Sequence, residues 1–132
     1  MAFKNGVWWG GYAQDSTTAV GAVAATSTGN ITLISSVAGQ TAYVYAYNLT
    51  GESTANVSVR LMSGSTTEVW RVTLESASTG ALAAGSLDRD VLSVTPPGYL
   101  FRTAPGAALT YEKGASSAAN ALISYALSYW MQ

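Results

Sequence analysis

From about residue 30 onward the chain is a succession of short runs of Val, Ile, Leu, Tyr and Thr, each closed by a cluster of Gly, Pro, Ser or Asn. Runs of this kind bounded by turn residues are strand sequence, and no long stretch carries the apolar spacing of a helix. The spacing predicts strands over residues 30–37, 41–49, 56–62, 67–74, 87–94, 99–103, 107–111 and 119–131. Ala38-Gly39-Gln40 and Ser63-Gly64-Ser65-Thr66 have the chemistry of tight hairpins, while Thr95-Pro96-Pro97-Gly98 and Ala104-Pro105-Gly106 end strands. The fold class that follows is all-β, a jelly-roll or immunoglobulin-like antiparallel β-sandwich.

Side-chain alternation assigns faces. Val57, Val59 and Leu61 point one way and Ser58 and Arg60 the other; Trp70, Val72 and Leu74 oppose Arg71 and Thr73 in the next run. Both are half-buried strands and are expected to pair across the Ser63–Thr66 turn. Two runs are apolar on both sides. Tyr43, Tyr45, Tyr47 and Leu49 alternate with Ala42, Val44 and Ala46, and Ile123, Tyr125, Leu127, Tyr129 and Met131 alternate with a mixed set ending in Trp130. These are expected to be central strands covered on both faces, by the rest of a sandwich or by another subunit.

Residues 1–29 differ from the rest and are expected to form an irregular arm ahead of a sandwich domain over residues 30–132. Phe3, Val7, Trp8, Trp9 and Tyr12 cluster there among Gly6, Gly10 and Gly11. Trp and Tyr are enriched at the energetic centres of protein interfaces, so these five residues are the candidate site. They either dock on a neighbouring subunit or plug the end of their own sandwich.

Composition narrows the function. The chain has no Cys and no His, which removes thiolate and imidazole chemistry and most transition-metal sites, and no cofactor is expected. Asp88 and Asp90 would share a strand face and Glu68 and Glu75 would not; the Asp88-Arg89-Asp90 trio reads as a solvated edge rather than a carboxylate pair for glycoside hydrolysis or a calcium loop. With no Gly-x-Ser-x-Gly elbow and no phosphate-binding glycine loop, an enzyme is not expected. The six basic residues are scattered, so neither nucleic acid nor a membrane surface is an expected partner. Ala19 to Ala25 is apolar but lacks the basic flank of a secretory leader, and glycosylation at Asn30, Asn48 or Asn56 is not expected. Charged residues make up 10% of the chain, against roughly a quarter in an average domain. So few charges protect poorly against association, and the outer surface is expected to be covered by neighbours in an assembly.

The hairpin Val37 to Tyr47, the Ser63-Gly64-Ser65-Thr66 turn and the segment Pro97 to Leu109 resemble small β-sandwich structural proteins of tailed bacteriophages, over about the last hundred residues. That resemblance implies a capsid decoration, or cement, protein: a homo-oligomer, typically a trimer, that binds the major capsid protein on the virion surface after assembly in the host cytoplasm. It also admits a receptor- or glycan-binding module of a tail or head fibre, for which Tyr43, Tyr45 and Tyr47 would form a stacking platform if exposed. The aromatic arm and the Trp130-Met131-Gln132 ending depart from the resemblance.

Overall fold

The computed structural model describes residues 7–9, 12–14, 17–24, 27–52, 56–74, 81–87, 99–113 and 122–132. Within them the chain is strand and turn, with no helix. The strands are β1 (Val7–Trp9), β2 (Tyr12–Gln14), β3 (Thr17–Val23), β4 (Gly29–Ile34), β5 (Ala42–Glu52), β6 (Val57–Ser63), β7 (Thr67–Leu74), β8 (Ala81–Leu87), β9 (Phe101–Arg102), β10 (Leu109–Lys113) and β11 (Leu122–Met131). β1 and β2 pair with each other as a separate ribbon. One large sheet has the order β4-β10-β6-β7; the other runs β3-β11-β5-β8, with β9 also paired to β5. All pairings are antiparallel, and the two sheets form a β-sandwich.

The alternating runs behave as expected. Val57 faces Leu74, Val59 faces Val72 and Leu61 faces Trp70 across β6 and β7. Val57, Val59, Leu61 and Leu74 are fully buried between the sheets with Leu49, Leu109, Tyr111, Ile123 and Leu127. Gly64 turns the hairpin with φ of 67°, a left-handed conformation that costs Gly nothing and other residues strain. The turn is fastened to the β9–β10 connection: Gly64 N donates to Ala108 O and Thr110 Oγ1 donates to Gly64 O. At the chain end, Gln132 and Thr41 exchange backbone hydrogen bonds, which extends the β11–β5 ladder past Met131.

Two expectations need correction. The segment before residue 30 is not wholly irregular, because Thr17–Val23 is β3 and pairs with β11 through seven consecutive residues. The expected strands also pass over β8, in which Ala81 to Leu87 pair with Glu52 to Ala46 of β5. Ala, Gly and Ser have weak strand preference, so the long partner strands, β11 for β3 and β5 for β8, rather than local sequence extend these segments. The strand expected over 87–94 lies, after Leu87, outside the described residues.

Candidate protein-binding surface

The geometry of the five-stranded sheet turns on one irregularity. β11 pairs Ser128 with Ala46 but Tyr129 with Val44, leaving Tyr45 as the extra residue of a β-bulge. There β5 also changes its other partner, from β9 at Tyr43 and Val44 to β8 from Ala46 onward. A bulge inverts side-chain parity. The four residues expected on one face are therefore divided: Leu49 is in the sandwich core and Tyr47 packs against it, while Tyr43 and Tyr45 lie on the opposite, outer face with Trp130. Tyr47 meets the Trp70 ring edge-on at 6.3 Å, and Trp70 stacks on Phe101 at 5.3 Å.

On the outer face Trp130 is 1% exposed, stacked on Tyr43 at 5.2 Å and 4° and on Tyr45 at 5.8 Å. Tyr99 meets Tyr43 edge-on at 5.0 Å, and Arg102 lies 5.9 Å over the Tyr43 ring and 6.0 Å over Tyr99. These contacts make a second, small aromatic core that anchors one end of the sheet. With Tyr43 buried and Tyr47 on the other side, the three-tyrosine glycan platform does not form.

Past this cluster, as far as the register position of Glu52 across from Leu122, the outer face is made of uncharged side chains, most of them small. β3 contributes Thr18, Val20 and Ala22; β11 contributes Leu122, Ser124, Ala126 and Ser128; β5 contributes Ala46, Asn48 and Thr50. Val20, Asn48, Thr50, Ser124 and Ala126 border a shallow depression of about 310 Å³. Val20 is 72% exposed and Leu122 40%, two of the three exposed large hydrophobics among the described residues.

The opposite outer face is charged. Arg60 stands across from Arg71 on β6 and β7, a like-charge pair that would be unfavourable alone. Glu68 bridges both, at 2.8 Å from Arg60 Nε and 2.7 Å from Arg71 Nη2, and Glu112 on β10 lies 2.6 Å from Arg60. Hydrogen bonds from Arg71 first and Arg60 second hold the Glu68 carboxyl down to about 2. Surface pairs of this kind add little stability singly, but the network keeps this face hydrated. Charge is thus segregated: a wet four-stranded sheet, and an uncharged stretch on the five-stranded one.

Of the five candidate residues, Phe3 lies outside the described residues. Val7, Trp8 and Trp9 form β1, where Trp8 pairs with Ala13 and Trp9 with Tyr12 of β2. Among the described residues this ribbon pairs with neither large sheet. Glu75, Asp88, Arg89 and Asp90 also lie outside the described residues; within those described, no three His, Cys, Asp or Glu side chains gather where they could hold a metal ion. Sequence reasoning missed Lys113. It is 2% exposed, on the core-facing side of β10, and its Nζ donates to Ala24 O just past β3. Desolvation lowers its pKa from the usual lysine value. The signal was the apolar parity of Leu109, Tyr111 and Lys113, a cation where a core residue belongs.

Fold and surface together define an all-β sandwich with one outer face crossed by an ionic network and the other carrying an uncharged stretch. No family model, curated protein or solved structure matches the chain.

Proposed function

We propose that the chain is a structural, non-catalytic module that binds protein surfaces, of the capsid decoration type, and that it docks on the major capsid protein through the uncharged outer face of β3, β11 and β5. The observation that carries the reading is the uncharged stretch on the outer face of the five-stranded sheet, set against the ionic network on the outer face of the other. A sheet face lined by Thr, Ser, Ala and Val next to an exposed Val20 is inexpensive to desolvate, whereas the Arg60–Glu68–Arg71–Glu112 face is costly to dry. Repeated over a lattice, modest contacts would sum to firm attachment through avidity. The aromatic β1–β2 ribbon is a second docking element in this reading, since an isolated two-stranded ribbon is marginal in water without cover.

The reading takes the sandwich as a jelly roll rather than an immunoglobulin-like one. Strand order supports that choice: apart from the β6–β7 hairpin and short β9, each strand from β4 to β11 lies in the sheet opposite its predecessor's. Double-sheet jelly rolls serve as viral capsid and lectin domains, although a fold by itself does not fix a role.

The test is copy number and place. Particles of the phage that encodes the chain, labelled with an antibody to it, should carry many copies spread over the head. A few copies at tail or fibre tips would favour the receptor-binding alternative, and absence from the particle would refute both.

A further inference from the structure

The edge of the five-stranded sheet points to a partner. Natural edge strands are guarded by charges, Pro, bulges or shortness, because an unpaired ladder invites a second one. Edge strand β7 is guarded: Glu68 and Arg71 lie along it, and its register with β6 shifts between Leu61 and Met62. Edge strand β4 has a shift of its own against β10. Like β8 at the other edge of its sheet, β3 has none of these devices. Its seven residues, Thr-Thr-Ala-Val-Gly-Ala-Val, include no charge and no Pro, and they pair with β11 without a register shift. Among the described residues β11 is its one ladder partner, and at its middle stands Val20, the most exposed large hydrophobic.

We propose that β3 is the self-association edge of this protein and that its occupant is β3 of a second copy, antiparallel about a two-fold axis through Val20. The sequence suits such pairing. Centred on Val20, the facing pairs are Val20 with Val20, Ala19 with Gly21, Thr18 with Ala22 and Thr17 with Val23. None sets a charge or two bulky groups against each other, and the one large exposed side chain meets its own copy as a β-branched cross-strand pair. A two-fold contact is isologous and closes on itself, so an unguarded edge used in this way is consumed rather than left to propagate fibres. The result is a continuous sheet with the order β8-β5-β11-β3 in one copy followed by its mirror order in the next, of ordinary width for a sheet. Its uncharged outer face spans both copies, which doubles the surface available to the capsid. The inference rests on the protein-binding reading of the proposed function, and puts a two-fold arrangement in place of the three-fold one that the resemblance implies.

Because the chain has no Cys, the pairing can be read directly in the full-length protein. Facing Cβ atoms on paired strands lie within about 4.5–5.5 Å, close to disulfide reach, so Val20→Cys should cross-link into a covalent dimer under mild oxidant. Val37→Cys, also at an exposed valine but at a turn, should not. By light scattering the wild type should have twice the 13.6 kDa chain mass, and Val20→Lys and Thr18→Lys should each return it to one chain with an unchanged circular dichroism spectrum. A wild-type monomer at all concentrations, a trimer, or a dimer indifferent to both lysines with no cross-link at position 20 would overturn the proposal. A lysine variant that is monomeric yet still decorates heads leaves the capsid reading intact, and a dimer that ignores heads sinks that reading alone.

Discussion

Trp130→Ala tests whether the aromatic cluster on the outer face is a second core. The side chain is 1% exposed, and a Trp buries roughly 150–250 Å². At about 25 cal/mol per Å² that area is worth about 4–6 kcal/mol, an upper bound because the unfolded chain is itself partly collapsed. Removing the 10–40% this implies, and adding back the stacking on Tyr43 and Tyr45, leaves a loss of about 3–5 kcal/mol, the usual range for such truncations. With a urea m-value of about 2 kcal/mol/M, the unfolding midpoint should fall by about 1.5–2.5 M. A double-mutant cycle with Tyr43→Leu should return a coupling of about 0.5–1.5 kcal/mol. A midpoint shift below about 0.5 M would mean that the cluster does not anchor the sheet, and would reopen the rings as a ligand platform.

Three further outcomes are expected. Because the Glu68 carboxyl titrates near 2 in the folded protein and at 4.5 when unperturbed, its stabilisation is complete above pH 4.5 and is lost as pH falls through about 2. The difference in urea midpoint between wild type and Glu68→Gln should therefore shrink between pH 6 and pH 2, and a constant difference would contradict the network. Lys113 has the opposite window: its pKa is lowered by burial, so the folded state sheds the proton first and stability rises with pH up to the unfolded value of 10.5. Compared with Lys113→Met, the wild type should gain stability between pH 7 and pH 10 in urea titrations, and no relative gain would show that the amine is solvated. Deleting Met1 to Tyr12 should abolish attachment to heads in a sedimentation assay while leaving the far-ultraviolet spectrum and cooperative unfolding intact; global unfolding would show that the ribbon completes its own sandwich.

The hairpin of β6 and β7 was legible because Val57, Val59 and Leu61 alternate strictly with polar residues, so period and burial agree. The bulge at Tyr45 was not. With apolar residues at every position from Ala42 to Tyr47, a change of parity leaves no trace in the pattern, and only the partner strand reveals it. β3 and β8 were obscured for a related reason, since the Ala, Gly and Ser that interrupt them carry little strand preference of their own. The low charge was visible from composition, but the clustering of four charges on one outer face depends on which strands are neighbours: Arg60, Glu68, Arg71 and Glu112 come together only through the β10-β6-β7 order. Lys113 shows the limit from the other side, a cation whose core-facing parity could be read while its Ala24 acceptor, 89 residues away, could not.

The uncharged stretch on the outer face of β3, β11 and β5 is expected to be completed by other protein chains. Electron cryomicroscopy of heads carrying the protein should show density from a neighbouring chain against Val20, Ser124 and Thr50, with Arg60 and Arg71 facing water. A decorated head in which that face is bare and the charged sheet makes the contact would refute it.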